Sequence, residues 1–362
     1  MRHCIRTALL VLGLVLVVGL GSGATSVATP IASPIASEMR SVHAGSVDTR
    51  SDEVPWTAER FRTAEPEPTF VTSADVGSRV SDRLGSPMVA PATRPGGIEQ
   101  APVATRVGAG TGREAAGSDF RWYDDPPFTR YEIAPAQARS WPWRAVGVLF
   151  FTQGGHDYRC SASAVGNFAV WTAGHCVHDG GSWSRNVVFI PAYDGKKACP
   201  GQGCPFGVWE YDDLWAMSAW VDDADFAYDF GGVIVKRNGG DSLVDVVGYL
   251  GWAVSQSPVA HWNVFGYPSR RPFHGNKMVT CQASTSSRMV DLGIGCDMTQ
   301  GSSGGPYILD FGNDNYVNGN VSYSVRGLEN ELFSPYLGEC AEGLFTALRA
   351  SRPGSPAPGF TC

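Results

Sequence analysis

Short runs of apolar and β-branched residues follow one another from about Phe120 to the end of the chain, with Gly, Pro, Asn and Asp in the gaps. Runs of this length bounded by turn formers are typical of antiparallel strands. They fall into two groups, which predicts two packed antiparallel barrels rather than one open sheet. The predicted strands are 145–151, 164–172, 186–192 and 231–235, followed by 246–249, 262–267, 278–283, 306–310 and 316–325.

One helix is predicted near the C-terminus. Ala341, Leu344, Phe345 and Leu348 recur at the spacing of an amphipathic helix. We therefore expect a short helix over about 340–351, packed on the second barrel.

The first 28 residues have the features of a secretory signal peptide. Two arginines near Met1 precede an apolar run over residues 8–20, and small residues up to Ala28 offer cleavage sites. Because the run is shorter than the ~20 residues of a membrane-spanning helix, we expect a secreted, extracellular protein. After removal of the signal peptide no membrane partner is expected.

Residues 29–118 are rich in Ala, Ser, Thr, Pro and Gly, and their aromatic residues are Trp56, Phe61 and Phe70. Such a composition buries too little apolar surface to offset the entropy of ordering, so we expect a mostly disordered region. It could serve as a removable propeptide or as a flexible spacer, and the composition is compatible with both. The folded domain is then residues 119–362.

Eight cysteines follow Cys4, which lies inside the signal peptide. An even number in an exported chain indicates disulfides, although sequence alone does not fix their connectivity. The spacing favours four local pairs. These are Cys160–Cys176, Cys199–Cys204, Cys281–Cys296 and Cys340–Cys362. A metal site is the weaker alternative, because neither a Cys-x-x-Cys nor a His-Glu-x-x-His motif is present.

The formal net charge is -7 and the 28 basic residues are dispersed along the chain. Strong phosphate binding requires clustered Lys and Arg. Nucleic acid is therefore not expected as a partner.

Two motifs indicate nucleophilic catalysis. His175 lies in Thr172-Ala173-Gly174-His175-Cys176, and Ser303 lies in Gly301-Ser302-Ser303-Gly304-Gly305-Pro306. A serine hydroxyl needs an adjacent imidazole to accept its proton, and glycines allow backbone N–H groups to point at a developing oxyanion. These residues predict acyl transfer by Ser303 with His175 as the general base.

The chain from about Ser140 to Ser351 resembles the chymotrypsin-fold serine peptidases and is most similar to their bacterial glutamyl-endopeptidase branch. The matching strings occur in the family's order. Besides the His175 and Ser303 motifs they are Trp141-Pro142-Trp143-Arg144-Ala145-Val146, Pro205-Phe206-Gly207, Tyr228-Asp229-Phe230-Gly231, Val264-Phe265-Gly266-Tyr267-Pro268 and Cys296-Asp297-Met298.

The resemblance implies an all-β fold of two packed six-stranded antiparallel barrels, at about 140–240 and 241–340, with the short C-terminal helix. It implies a monomeric endopeptidase that cleaves proteins or peptides through an acyl-enzyme, without a cofactor or metal. A zymogen is expected, although activation through an acidic residue before the nucleophile is not, because that position is Ser302.

The third catalytic residue is expected to be Asp229, which precedes an apolar strand and matches the family's Tyr-Asp-aromatic-Gly pattern. Asp222, Asp223 and Asp225 are interpreted as a solvated loop, with a weak calcium site as the alternative. The N–H groups of Gly301 and Ser303 are the expected oxyanion hole.

The substrate-binding prediction rests on residues 319–324, which resemble the family's strand that pairs with the substrate backbone. Ser322, Tyr323 and Ser324 belong to it. Val321 and Met298 stand where glutamyl endopeptidases carry polar groups, so a preference for Glu is not expected. Asp297 requires either a basic substrate or an internal partner, because an unpaired buried carboxylate is costly. Basic and small or apolar preferences both remain open.

An alternative from another class is a catalytically inactive, secreted binding protein on a protease scaffold. Loss of His175, Asp229 or Ser303 would favour it. Since all three are present, the sequence favours the enzyme.

Overall fold

The computed structural model describes residues 40–44, 54–67, 70–71, 85–97, 101–105, 107, 126–288 and 291–362. The predicted signal peptide lies outside the described residues. The strands are β1 Ser41–His43, β2 Glu65–Pro66, β3 Phe70–Val71, β4 Met88–Ala90, β5 Val103–Ala104, β6 Thr129–Glu132, β7 Val146–Gln153, β8 His156–Ala164, β9 Ala169–Thr172, β10 Arg185–Pro191, β11 Trp209–Met217, β12 Gly231–Val235, β13 Gly251–Val254, β14 His261–Gly266, β15 Val279–Arg288, β16 Leu292–Gly295, β17 Pro306–Leu309, β18 Tyr316–Asn320, β19 Ser324–Val325 and β20 Glu331–Ser334.

The helices are short apart from the last one. The α-helices are Ala58–Thr63, Pro135–Ala138, Ser218–Asp223, Leu243–Val247 and Glu339–Ala350, and the 3-10 turns are Trp143–Ala145, Gly174–Cys176 and Phe226–Tyr228. No helix in the described part of the chain is both long and apolar enough to cross a membrane.

Strands β7 to β12 form a closed six-stranded antiparallel barrel. Their order is β11-β10-β7-β8-β9-β12, and pairing of β11 with β12 closes the ring. The strands β7, β9 and β12 are buried along almost their whole length. The predicted all-β fold with a first barrel is thus confirmed.

The second group of strands forms a sheet with the path β20-β16-β15-β14-β17-β18-β13-β4-β5, and β6 pairs with β15. The path does not end at β13, because β4 from the N-terminal region pairs with it through Trp252, Ala253 and Val254. Where a second six-stranded antiparallel barrel was expected, the described residues form a ten-stranded sheet, which includes strands from the N-terminal region and one parallel pair, β13 with β18.

The first two residues of one predicted strand are helical instead. Residues 246–249 are apolar and β-branched, yet Leu243–Val247 is helical. Ser242 and Asp245 form a capping box, which satisfies N–H groups at the start of this helix and overrides the strand propensity of its valines.

The C-terminal helix is confirmed at Glu339–Ala350. Phe345 stacks on Trp171 of β9 at a centroid distance of 3.9 Å and on Trp252 of β13 at 5.2 Å. The helix therefore contacts both groups of strands, whereas it was expected on the second alone. All four predicted disulfides are present.

Parts of residues 29–118, which are expected to be mostly disordered, are built into the fold. Strand β1 pairs with β11, β2 with β8, β3 with β19, and β4 with both β13 and β5. These segments are held largely by backbone hydrogen bonds at strand edges, which a low content of apolar residues does not preclude.

Candidate active site

His175 lies in a short 3-10 turn directly after β9. The disulfide between Cys160 on β8 and Cys176 ties this turn to the barrel. Gln153 donates from Nε2 to the His175 carbonyl oxygen at 3.1 Å. Gly174 is required there, because a Cβ would lie 2.8 Å from Trp220 Cγ and 3.1 Å from Asp229 Oδ1. The imidazole is held in a fixed position, with only 4 % of the residue exposed.

Asp229 contacts His175 through both carboxylate oxygens. The His175 backbone N–H donates to Oδ1 at 2.8 Å, and Nδ1 lies 2.8 Å from Oδ2. The Ser322 hydroxyl also donates to Oδ2. Asp229 is fully buried, and its contacts with the backbone and ring of His175 orient the imidazole.

Asn320 adds a further contact to this group. Its Nδ2 donates to the Asp229 carbonyl oxygen at 3.0 Å, and its Oδ1 accepts from Trp171 Nε1 at 3.1 Å. Asn320, at the end of β18, thereby connects Asp229 with β9, the strand that precedes His175. The sequence assigns Asn320 no role of its own, although it lies within residues 319–324, the predicted substrate strand.

Ser303 lies in the loop between β16 and β17, and is 4 % exposed. Its carbonyl oxygen accepts from Ser161 N at 2.7 Å, and Gly304 N donates to the Val321 oxygen at 2.7 Å. A Cβ on Gly304, whose φ is +77°, would lie 2.1 Å from Thr172 Oγ1 and 2.9 Å from Ala173 N. The loop is therefore in close contact with the residues that lead into His175.

The predicted oxyanion hole residues are in the same loop. Gly301 has a φ of +94°, and a Cβ there would lie 2.9 Å from the Tyr267 oxygen. The neighbouring Ser302 hydroxyl is occupied, because it donates to the Thr299 oxygen at 2.6 Å. Of the two adjacent serines, Ser302 is thus committed to the loop backbone.

The charge of His175 is controlled by two carboxylates. Burial disfavours the imidazolium, but Asp229 and Glu67 outweigh it and raise the pKa of His175 to about 9. Glu67 Oε2 lies 3.4 Å from His175 Nε2, the nitrogen on the side opposite Asp229. Glu67 comes from the N-terminal region, and no motif in the sequence singled it out.

The residues predicted to bind substrate differ in their exposure, since some are buried and one is partly exposed. Met298 and Val321 are buried in the core of the second sheet. Tyr323 is also buried, where its hydroxyl donates to Asp291 Oδ2 at 2.6 Å and its ring stacks on Phe333. Ser324 lies on β19 and is partly exposed.

Asp297 has an internal partner. Arg130 on β6 places Nε 3.0 Å from Asp297 Oδ1, and the Arg130 guanidinium lies over the Phe273 ring at 5.0 Å. Of the two possibilities that the sequence left open for Asp297, the internal partner is the one present. Arg130 precedes the segment that resembles the family, so the motifs could not identify it.

The candidate metal ligands do not form an open site. Cys160, His175 and Cys176 are grouped closely, but both sulfurs are in a disulfide and offer no thiolate.

In the acidic segment that contains Asp222, Asp223 and Asp225, the Asp225 side chain caps the 3-10 turn Phe226–Tyr228 by accepting from Ala227 N at 3.0 Å.

No protein-family model and no curated protein matches this chain. Solved structures do match. The protease Anisep from Arthrobacter nicotinovorans is 30% identical with a TM-score of 0.54, and the alignment covers 57% of this chain and 96% of that one. The thermostable serine protease AL20 from an extremophilic microorganism is 32% identical with a TM-score of 0.52, covering 57% and 98%.

A Glu endopeptidase in complex with MPD also matches, at 18% identity and a TM-score of 0.49, over 63% of this chain and 98% of that one. The two more similar proteases and the closed barrel identify the family. Since the chain is at least 30% identical to both over nearly their whole length, it belongs to the chymotrypsin-fold serine proteases.

Proposed function

We propose that this protein is a secreted serine endopeptidase whose catalytic triad is His175, Asp229 and Ser303. The observation that carries the proposal is the pair of contacts from Asp229 to the backbone N–H and to Nδ1 of His175. With Nδ1 bound to the carboxylate, Nε2 is the nitrogen left to exchange a proton with a nucleophile.

The proposed reaction begins when His175 Nε2 accepts the Ser303 hydroxyl proton and Oγ bonds to the scissile carbonyl carbon. The tetrahedral intermediate collapses as His175 donates that proton to the leaving amine, which breaks the C–N bond. Water, deprotonated by His175, then attacks the acyl-enzyme, and the Ser303 oxygen leaves with its proton restored.

The N–H groups of Gly301 and Ser303 are proposed to stabilise the oxyanion. Neither group donates a backbone hydrogen bond within the described part of the chain, so both are available to a ligand. Donors at such a site typically contribute about 3 kcal/mol each to the transition state.

The proposed substrate preference is for small or apolar side chains. Met298 and Val321 are apolar, and the charge of Asp297 is balanced by Arg130 at 3.0 Å. A lysine or arginine side chain would have to displace Arg130 to use Asp297, which opposes cleavage after basic residues. Substrates are proteins or peptides, and the enzyme is proposed to act as a monomer.

Export is supported by the four disulfides, which persist in oxidising compartments. Residues 1–28 are proposed as the signal peptide. Part of residues 29–118 is proposed to be removed during maturation.

The test is hydrolysis of an unfolded protein substrate by the secreted protein. Ser303→Ala and His175→Ala should each abolish hydrolysis, whereas the matched control Ser302→Ala should retain it. Equal hydrolysis by wild type and Ser303→Ala would refute the triad. Absence of hydrolysis in every sample, with the N-terminal region removed, would favour the inactive binding protein.

A further inference from the structure

Residues 54–64 of the N-terminal region, here the anchor segment, are packed onto the outside of the first barrel. Phe61 in the helix Ala58–Thr63 is 1 % exposed. Its ring stacks on Trp56 at a centroid distance of 5.0 Å and lies edge-on to Phe150 of β7, also at 5.0 Å. Burial of Phe61 and partial burial of Trp56 against a strand indicate a specific contact.

A buried arginine of the barrel binds the end of this helix. Arg159 on β8 is 4 % exposed, and it donates from Nη2 to the Phe61 oxygen and from Nε to the Ala64 oxygen, both at 2.9 Å. Carbonyl groups at a helix C-terminus carry partial negative charge and lack helical partners. The anchor segment therefore supplies acceptors that a buried guanidinium requires.

Two further polar contacts fix the anchor segment. Arg60 donates to both carboxylate oxygens of Asp157, at 2.6 and 2.7 Å. Trp56 donates from Nε1 to the Asn186 oxygen at 2.6 Å. A bidentate arginine–carboxylate contact adds geometric specificity to the aromatic packing.

The chain leaves the anchor segment in the direction of His175. Strand β2 pairs in parallel with Tyr158 and Arg159, and Glu67 N donates to the Arg159 oxygen at 3.3 Å. The Glu67 carboxylate then lies 3.4 Å from His175 Nε2. The Glu67 side chain therefore faces His175 Nε2. In the proposed reaction the same nitrogen accepts the Ser303 proton.

Further on, the same region covers the proposed substrate strand. Backbone groups of Phe70–Val71 pair in parallel with Ser324–Val325. A peptide added to β19 would need the same hydrogen-bonding edge. Residues 65–67 and 70–71 are here called the blocking segment. They contact His175, the proposed general base, and the edge of β19 to which a substrate peptide would add.

We propose that the first barrel carries a peptide-binding exosite, formed by Phe150, Asp157, Arg159 and Asn186, whose ligand is a short helix with Trp, Arg and Phe at the spacing of residues 56, 60 and 61. In the intact chain this ligand is the anchor segment, and its binding holds the blocking segment over His175 as a built-in inhibitor. The inhibitory part of this proposal rests on the proposed function; the binding part does not.

The first test measures kcat/KM for a peptide substrate on the intact chain, with its mass checked before and after the assay. Arg60→Ala should raise kcat/KM about 10-fold, because one two-pronged ion pair is lost. The matched control is Arg62→Ala, on the exposed side of the same helix, where the side chain pairs with Glu59. It should leave the rate unchanged. Equal rates for wild type and Arg60→Ala would overturn the inhibitory role.

The second test returns the ligand in trans. A synthetic peptide of residues 54–71 should inhibit the intact Arg60→Ala protein competitively, and the same peptide carrying Arg60→Ala should be at least about 10-fold weaker. Binding itself is measured by the fluorescence anisotropy of the labelled peptide on the Arg60→Ala protein, which requires no activity, and absence of binding at millimolar concentration would overturn the exosite.

The third test does not depend on activity. In the Ser303→Ala background, histidine NMR should show that Glu67→Gln lowers the pH at which His175 titrates, while the control Glu65→Gln, an exposed neighbour, leaves it unchanged. If no variant hydrolyses peptides but Glu67→Gln moves this titration, the proposed function fails and the contact stands. An unchanged titration overturns the placement of the blocking segment.

Discussion

Asp229 holds His175 at two points, since one carboxylate oxygen accepts the backbone N–H and the other lies 2.8 Å from Nδ1. The backbone contact fixes where the residue sits, and the ring contact at Nδ1 leaves Nε2 as the nitrogen that can exchange a proton. Both contacts are buried, so water does not compete for them.

Asp229→Asn should preserve the fold and lower kcat by about 10⁴-fold, because the amide favours the wrong imidazole tautomer. The measurement is the steady-state rate on a peptide substrate with the blocking segment displaced or removed. Asp223→Asn, on an exposed position in the same acidic segment, is the control. A loss of less than tenfold would contradict the assigned role.

Ser322→Ala should reduce both the stability of the folded protein and the rate of peptide hydrolysis. It removes one donor to the buried Asp229 carboxylate, which should lower the free energy of unfolding by about 2 kcal/mol. Denaturant unfolding is the measurement, and Ser182→Ala on an exposed turn is the control. A stability equal to wild type would show that the hydroxyl contributes nothing to holding Asp229.

Arg130→Ala should widen the substrate range. Removing the guanidinium 3.0 Å from Asp297 leaves a carboxylate without its cation, and lysine or arginine side chains can then supply one. We expect kcat/KM for basic substrates to rise about 10-fold relative to apolar ones. A peptide library compares wild type, Arg130→Ala and the exposed-site control Arg326→Ala. Efficient cleavage after lysine by the wild type would contradict this account of the pocket.

The intact chain should lose stability at alkaline pH. The folded-state pKa of His175, about 9, lies above its ordinary value of 6.5. Its contribution is therefore fully present below about pH 6.5 and is lost as the pH rises through about 9. The loss attributable to His175 should be at most ~3 kcal/mol.

This loss is measured by urea unfolding at about pH 6 and pH 9.5, and Glu67→Gln should show a smaller difference because it removes one of the two carboxylates. If the stability of the wild-type protein rose between these two pH values relative to that of Glu67→Gln, the assigned ion pair would be contradicted.

Much of the fold was predictable because its signals are local. Strand runs between turn formers and the helical spacing of Leu344 and Leu348 reflect backbone preferences that act within a few residues. The four cysteine pairs are also close in sequence, with separations of 5 to 22 residues. The exception at 246–249 is local too, since the capping box at Ser242 and Asp245 outweighs the valines.

The contacts that the sequence did not predict are distant in sequence. Glu67 and His175, and Arg130 and Asp297, are brought together by strand pairing. Neither Glu67 nor Arg130 differs in its immediate sequence from any exposed charged residue. Arg159 is similar, because a single arginine on a strand does not reveal that the carbonyl groups of Phe61 and Ala64 will surround it.

The most direct test of the proposed triad is covalent labelling of the purified protein with a fluorophosphonate, followed by mass spectrometry of the modified peptide. With the blocking segment weakened by Arg60→Ala, we expect one adduct on Ser303, none on Ser302, and none after Ser303→Ala or His175→Ala. A folded protein that acquires no adduct at Ser303, or reacts equally without His175, would contradict it.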